Sequence, residues 1–591
     1  MKRSKKIIFR LLHWLRKMPS RQLMIILSVI VGFLAGIVAV IIRGLVVWIE
    51  HLLTSGFVID YSNYLYVVYP TVGVLLTVVF IKFLLRQPVR DGVPSVLYAI
   101  SRQHGLIKPH NTYSSIITST LTVAFGGSVG LEGPTVITGA AIGSNIGRVL
   151  GLNYKQTVAL LGMASAAAMS AIFKAPIAAI VFALEVILFD MTMTALVPLL
   201  IASIVAVLTT YFFQGLDVLY PMKGISIFKL YETPYYIGLG VFTAFISAYF
   251  IKFYVWSGKL FDRLHGWFPK FLLGVSALGL IIFMLPSLYG EGYGALNKAM
   301  EGDLSFIFDN SLFYFYNGKM GITLLLLLAI ILFKVVATSF TFRGGGIGGV
   351  FAPTLFIGTM SGLFFVTVIN HYGMTDLPVS NFAMVGMAGM LAGVIHAPLT
   401  AIFLIAEVTG GYELFLPIML VATTSYSLTR LMSPRSIYTI QLNKRGDMLT
   451  HNKDKSLLSL MDIRDQIETD FAKVHIDATL GDLVKIIADS HRNIFPVVDD
   501  ENTFYGFIIL DQIRHTMFQP ELYQTTMVKS LMMKPTNVVN IDDDMETVAQ
   551  KFQHSGKYNL VVLDGDKYVG FVSRANVFSH YRDLLKDFSE E

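Results

Sequence analysis

A glycine-rich segment is present twice in this chain, with an offset of 219 residues between the copies. The first copy is residues 126–135 (GGSVGLEGPT) and the second is residues 344–354 (GGGIGGVFAPT). A Gly-Met-Ala sequence follows each copy, at residues 162–164 and 386–388. Glycine-interrupted segments in corresponding halves of an apolar chain are typical of transporters whose site lies between two repeats. We therefore expect an internal repeat.

Glu132 is the one carboxylate of the first copy. A charged group at membrane depth is costly unless it faces protein, water or a substrate path. Pro134 and the apolar residues after it predict the first turn of a helix, and the glycines leave backbone N–H groups unobstructed. Such a helix N-terminus is an anion site. Glu132 either controls that site or is a buried carboxylate that neighbouring amides satisfy.

The composition is that of a membrane protein, with 54% hydrophobic and 15% charged residues and a mean hydropathy of +0.62. An apolar run from about residue 23 to residue 49 follows a basic start and is long enough to span a bilayer. The positive-inside rule places the N-terminus in the cytoplasm, and no signal-peptide cleavage site follows the run. The pI near 9.0 reflects these membrane flanks, so nucleic acid is not an expected partner.

The remaining apolar runs divide into two series. Several are too short to cross about 30 Å of hydrocarbon, so we expect tilted or half-spanning helices. Residues 214–233 are predicted to join the repeats, and residues 289–319 are predicted to be a long aqueous loop. The fold class is thus an α-helical polytopic membrane protein whose repeat we expect to be inverted, although sequence alone does not show the orientation. The runs are 66–85, 116–124, 136–146, 158–172, 177–189 and 196–213, then 236–254, 271–288, 322–338, 355–369, 383–395, 399–405 and 414–428.

The chain after Asn443 is charged and has no run of spanning length. It contains its own duplication, since residues 476–507 match residues 541–571, and each unit is predicted to be helix, strand, strand, helix. We expect three regions. They are a cytoplasmic basic N-terminus (1–22), a transmembrane domain (23–445, repeats about 23–213 and 234–430) and a cytoplasmic α/β pair (446–591, units about 463–518 and 528–585).

Several short motifs resemble those of one known family. Residues 130–134 (GLEGP) resemble the G-[KR]-E-G-P motif of the CLC chloride channels and chloride/proton antiporters, and residues 349–353 (GVFAP) resemble G-x-F-x-P. Residues 90–94 (RDGVP) lie where the family has G-S-G-I-P, and Tyr438 matches the pore tyrosine. The resemblance covers roughly residues 20–445. The duplicated C-terminal region, about 447–588, is similar to a tandem pair of cystathionine-β-synthase (CBS) domains.

The resemblance implies a chloride pore in which Glu132 is the gate and proton acceptor. It also implies that Val350 and Phe351 bind the anion through backbone N–H groups and Tyr438 through its hydroxyl. Two departures affect selectivity. An ionised Asp91, in place of the usual Ser, would repel chloride or would cap the helix that begins near Pro94, and Leu131 removes a basic residue. The expected anion and gate residues are Asp91, Gly92, Val93, Gly130, Leu131, Glu132, Gly133, Val350, Phe351 and Tyr438.

The position of Val186 bears on the mechanism. The family's antiporters commonly carry an internal proton-transfer Glu there, whereas many of its channels have Val. Valine relays no proton, so we expect passive, channel-like conduction of chloride or other small anions. Because water could substitute, a chloride/proton antiporter remains the alternative. The neighbouring Glu185 is expected to be structural.

The family resemblance also implies a homodimer in the cell (inner) membrane, with both termini cytoplasmic. CBS pairs often bind adenine nucleotides through an Asp on the ribose, but Gln512 and Asn576 occupy those positions here. A structural dimer-forming module is therefore the preferred interpretation. Nucleotide binding remains an alternative, and no other cofactor is expected.

Two other classes of function are less compatible with the sequence. An intramembrane metalloprotease needs a His-Glu-x-x-His zinc site, and no such pentapeptide is present; the sequence at His396 is His-Ala-Pro. The zero cysteines also exclude thiolate metal sites. A CBS-containing magnesium channel would need acidic ion sites instead of glycine-rich amides. We therefore expect neither an enzyme nor a metal site.

Overall fold

The structure is a computed structural model of the 591-residue chain. It describes residues 18–54, 62–89, 92–187, 193–216, 226–309, 311–316, 318–373, 375–443, 458 and 461–589. Most of the basic N-terminus, Asp91 and part of the predicted joint between the repeats lie outside these ranges. The chain divides into two compact units, Met1–Met448 and Leu449–Glu591.

Helices joined by turns and short loops make up the described residues of the first unit. The helices up to the joint are α1 (Ser20–Thr54), α2 (Ser62–Val79, continued by the π-helical turn Phe80–Leu85), α3 (Gly92–Arg102), α4 (Asn111–Ala124), α5 (Glu132–Leu150), α6 (Tyr154–Phe173), α7 (Pro176–Phe182, continued by the π-helical turn Ala183–Ile187) and α8 (Met193–Gln214). Those after it are α9 (Thr233–Asp262), α10 (Trp267–Met284), α11 (Tyr293–Met300), α12 (Met320–Arg343), α13 (Phe351–His371), α14 (Val379–Ile395), α15 (Pro398–Val408), α16 (Phe415–Met432) and α17 (Ile437–Asn443).

The two halves repeat the same packing. Helix α1 packs against α6 and α8, as α9 packs against α14 and α16. Helix α5 packs against α6, as α13 packs against α14. This agreement confirms the predicted internal repeat, because equivalent helices of the two halves have equivalent packing partners.

Eight of the described helices are long and apolar enough to cross a membrane. Helices also extend beyond the apolar runs: the run at 136–146 lies inside the 19-residue helix α5. The helix is longer than the apolar run because it also contains small residues, which let helix backbones approach closely. A Cβ on Gly139 of α5, for example, would lie 2.5 Å from the carbonyl oxygen of Ala164 of α6.

The prediction that residues 289–319 form a long aqueous loop is wrong in part. This segment contains helix α11, which packs against α13 and α14. Leu296, Met300 and Phe306 are buried. The Gly and Asp residues of the segment therefore mark turns between short helices, and its apolar side chains cover the transmembrane helices.

The second unit consists of two similar α/β halves. Its strands are β1 (Ile467–Glu468), β2 (Val474–His475), β3 (Ile494–Val498), β4 (Phe504–Ile509), β5 (Val538–Asn540), β6 (Asn559–Asp564) and β7 (Lys567–Ser573). Its helices are α18 (Leu480–Asp489), α19 (Leu510–Ile513), α20 (Val528–Leu531), α21 (Met545–Ser555) and α22 (Arg574–Ser589). The predicted order of helix, strand, strand, helix is confirmed in each half, and a short strand precedes it.

The strands form two small sheets, in the orders β2-β3-β4 and β1-β7-β6-β5. Each half begins with a parallel pair, β2 with β3 and β5 with β6, and continues as an antiparallel hairpin. Helix α18 begins with a capping box between Thr479 and Asp482. Aromatic side chains, including Phe471, Tyr568 and Phe571, join the halves in a common core.

Truncation after Asp447 tests whether the two compact units fold independently. We expect the shortened chain to insert in the membrane and remain folded, because the first unit has its own buried core. We expect residues 446–591 to fold alone for the same reason. Size-exclusion profiles and thermal melts of both pieces check this, and aggregation of both in mild conditions would contradict it.

Candidate functional site

The two glycine-rich loops pair with each other at the centre of the first unit. The N–H of Gly130 donates to the carbonyl of Gly349 (2.9 Å), and the N–H of Gly349 donates to the carbonyl of Gly130 (2.6 Å). These residues occupy equivalent positions in the two copies. The two copies of the predicted repeat thus pair with each other through a two-residue antiparallel bridge.

Hydroxyl groups extend this symmetric pairing. The N–H of Ser128 donates to Oγ1 of Thr341 (3.3 Å), and the N–H of Ile347 donates to Oγ1 of Thr122 (3.1 Å). Thr122 and Thr341 are equivalent residues near the ends of α4 and α12. Each loop is therefore fixed by the helix that precedes the other loop.

Three helices begin around this bridge. Helices α5 and α13 begin at Glu132 and Phe351. Helix α3 begins at Gly92, where an added Cβ would lie 2.0 Å from the carbonyl oxygen of Gly133. Helix N-termini carry partial positive charge and unpaired N–H groups, so this place is complementary to an anion. We call the meeting point of these three N-termini the junction.

The Glu132 side chain is enclosed at the junction and is 1% exposed. Added Cβ atoms on Gly130 and Gly349 would lie 2.1 and 3.0 Å from its Oε2, so the carboxylate lies over the bridge. The N–H groups of Glu132 and Ala352 face it without hydrogen-bond geometry, and neither oxygen has a hydrogen-bond partner among the described residues. The carboxylate is buried but not satisfied.

The symmetry is broken at this position, because Phe351 is the equivalent of Glu132. Its ring packs against Phe173 (5.9 Å between centroids) and Phe182 (5.6 Å). One side of the junction therefore presents a carboxylate and the other a packed aromatic cluster.

The other predicted pore residues lie on several elements. Leu131 and Val350 are the buried residues just before α5 and α13, and Val93 is buried in the first turn of α3. Tyr438 is buried at the start of α17, which packs against α3 and α14. Asp91 lies outside the described residues.

Val186 is not part of the junction. It is buried in the π-helical turn that continues α7, and this turn packs against α3. The CBS positions Gln512 and Asn576 lie in the second unit, where both are exposed at the starts of α19 and α22.

Two further carboxylates join the repeats away from the bridge. Glu407 accepts hydrogen bonds from the N–H groups of Ile177 (3.0 Å) and Ala178 (2.7 Å) at the start of α7. Glu185 accepts hydrogen bonds from the N–H groups of Leu399 (3.2 Å) and Thr400 (2.8 Å) and from the Thr400 hydroxyl (2.7 Å) at the start of α15. Each repeat thus caps a helix of the other, which gives Glu185 a structural role.

Sequence reasoning missed two charged residues beside the junction. Glu291 accepts a hydrogen bond from the N–H of Leu131 (3.0 Å), and Lys334 interacts electrostatically with Glu291. Lys334 lies inside the apolar run at 322–338, where a charged residue is by itself a sign of function. No comparable indication exists in the sequence for Glu291, because a charged residue is ordinary in the segment that was predicted to be aqueous.

Replacing Gly92 by Ala tests the close approach of α3 and α5. The new Cβ would meet the backbone of Gly133, which is held by its own helix, so we expect a loss of about 1–3 kcal/mol or more in stability. Gly321→Ala is the matched control, since no atom lies within 4 Å of its added Cβ. Thermal unfolding in detergent should separate the two variants; equal midpoints would refute the close packing.

Comparison with known families supports the sequence resemblance. The family model described as "Voltage gated chloride channel" matches residues 72–430. The CBS domain model matches twice, at residues 462–518 and 528–583. The first match covers more than half of the chain.

Three individual matches, one relative and two structures, share less than 30% sequence identity with this chain. The Ralstonia nicotianae protein named "Putative chloride channel protein ClcB-like" is 29% identical over 392 residues, which are 64% of this chain and 85% of that protein. The structure of a slow cyanobacterial Cl⁻/H⁺ antiporter has a TM-score of 0.62 at 20% identity and covers 72% of this chain and 98% of its own. A eukaryotic CLC transporter has a TM-score of 0.60 at 16% identity and covers 96% of this chain and 98% of its own. At these identities the two structures show the fold alone.

Proposed function

We propose, on the premise that the chain belongs to the voltage-gated chloride channel (CLC) family and is a multi-pass membrane protein, that it conducts chloride passively through the junction. Glu132 is the gate. The observation that carries this proposal is the buried Glu132 carboxylate, which lies among helix N-termini without a hydrogen-bond partner among the described residues.

The energetics of Glu132 favour a movable carboxylate. Burying an ion without a partner costs several kcal/mol. Each nearby helix N-terminus returns about 0.3–2 kcal/mol, so two or three helices offset much of this cost but leave the position strained. Protonation removes the attraction to the helix ends, and the side chain then gives way to chloride.

The groups that would hold chloride after this movement are mainly backbone N–H groups. Those of Val350 and Phe351 belong to the start of α13, and those of Gly92 and Val93 belong to the start of α3. Gly130, Leu131 and Gly133 surround the carboxylate position, and the Tyr438 hydroxyl is the proposed side-chain donor. Asp91 then affects which anion is preferred.

Val186 supports passive conduction, because its buried side chain has no group that could carry a proton. Chloride/proton antiport is the alternative. The reversal potential of purified protein in liposomes, measured under opposed chloride and pH gradients, separates the two. A value that follows chloride alone supports the channel, and a value that also shifts with the pH gradient supports antiport.

Glu132→Gln is the direct test of the gate. Glutamine imitates the protonated side chain, so we expect chloride efflux that is open and independent of pH, whereas efflux by the wild type should rise as external pH falls. Chloride efflux from liposomes across a pH series measures both.

The matched control for this test is Glu413→Gln, which removes an exposed carboxylate between α15 and α16. It should keep the wild-type pH response. A Glu132→Gln protein that inserts normally but conducts nothing, or that keeps the wild-type pH dependence, would show that Glu132 is not the gate.

We also propose that the protein is a homodimer in the cell (inner) membrane, with cytoplasmic termini and one pore per subunit. In this proposal the CBS pair is a structural, dimer-forming module, since neither Gln512 nor Asn576 supplies a ribose-binding carboxylate. Mass measurement in mild detergent should give twice the chain mass of 65.6 kDa plus bound detergent. A mass of one chain would reject the dimer.

A further inference from the structure

A second carboxylate lies beside the start of α5. Glu291 accepts a hydrogen bond from the N–H of Leu131, the residue before Glu132, at 3.0 Å from its Oε1. It also interacts electrostatically with Glu132. Glu291 is partly buried as a residue, whereas Glu132 is enclosed. The two neighbouring residues thus differ in how much of their surface is exposed.

Lys334 provides the positive charge in this region. It lies on α12 with no exposed surface, and its Nζ donates to the carbonyls of Leu288 (3.3 Å) and Gly290 (2.9 Å). The ammonium group also lies 4.7 Å from the centre of the Phe356 ring. Lysine is costly to bury unless it is compensated. Its contacts hold the segment that ends at Glu291, and it interacts electrostatically with that side chain.

Helix α1 adds two more charged residues. Arg43 and Glu50 both interact electrostatically with Glu291, and α1 packs against α5. Both side chains are partly exposed. The charged groups that act on Glu291 are therefore Glu132, Lys334, Arg43 and Glu50.

We propose that Glu291 is the proton-exchange group of the gate, and that Lys334 sets how readily Glu291 and Glu132 hold a proton. The Glu291 carboxylate takes a proton from hydronium, whose O–H bond breaks and which is left as water. Glu291 then gives the proton to Glu132: an O–H bond breaks on Glu291 and one forms on Glu132. Glu291 is left as a carboxylate, which takes its next proton from hydronium in the same way. The inference rests on the proposed gating by Glu132.

The pH at which such a gate opens depends on Glu132 and Glu291 together. Two carboxylates in electrostatic contact resist being ionised together, so each affects the pH at which the other gains its proton. Removing the charge of Glu291 makes Glu132 easier to ionise. Removing the charge of Lys334 makes both carboxylates harder to ionise. The two changes therefore act in opposite directions.

The first test is Glu291→Gln, whose side-chain oxygen can still accept the hydrogen bond from Leu131. We expect the midpoint of acid-activated chloride efflux to move to lower pH by about one unit, the size that a nearby charge typically produces. We also expect a shallower response. Glu291→Asp, which keeps a carboxylate, should restore much of the wild-type profile, and Glu413→Gln should leave it unchanged.

The second test is Lys334→Met, which keeps an unbranched apolar chain of similar length. Here the midpoint should move to higher pH. Opposite shifts would support the electrostatic pair, because purely structural damage has no reason to reverse its sign. If Lys334→Met does not fold, the Glu291 variants decide.

The outcomes also separate this inference from the proposed function. If Glu132→Gln keeps the wild-type pH response, the gate itself is wrong. If Glu132→Gln abolishes that response but Glu291→Gln keeps the wild-type midpoint and steepness, Glu132 is the gate and the role of Glu291 is overturned.

Discussion

The reciprocal backbone pairing of Gly130 with Gly349 is the contact on which the rest of the first unit depends. Each hydrogen bond contributes only about 1 kcal/mol, but the pair fixes where α5 and α13 begin. Side chains are excluded from this contact: an added Cβ on Gly348 would lie 2.3 Å from the Val129 side chain. The glycines are needed for close approach, and that approach directs helix N-termini to a common point.

Equivalent backbone contacts in the two repeats follow from this arrangement, although several side chains differ between the copies and Glu132 is the one carboxylate. The same correspondence orders the loop pairing, the threonine contacts and the exchange of caps by Glu185 and Glu407. Those two carboxylates are satisfied by N–H groups of the opposite repeat. Glu132 is also at a helix start, but no other buried carboxylate of the described residues lacks a partner as it does. Glu185 and Glu407 are thus held by hydrogen bonds, whereas the Glu132 carboxylate is held by none among the described residues.

Sequence predicted the parts of the site that local chemistry determines. The glycine pattern indicated the loops, Pro134 indicated the start of α5, and the duplicated motifs indicated that two distant segments belong together. Glu291 was missed because its significance arises from a contact with Leu131, 160 residues earlier in the chain. Neither the periodicity nor the spacing of residues in a sequence predicts a contact between segments so far apart. Lys334 could have been found, since a lysine within a run of spanning length requires an explanation.

The missed residues also change how the departure at Leu131 is understood. The family resemblance implied that a positive charge had been lost beside Glu132. The structure instead brings a buried lysine from α12 to the same region, with Glu291 between Lys334 and the backbone of Leu131. A mobile surface charge near an anion site would be screened by salt and water, but a buried charge is screened much less. The electrostatic environment of Glu132 is therefore set in part by groups that the fold holds inside the protein, and Glu291 and Lys334 are two of them.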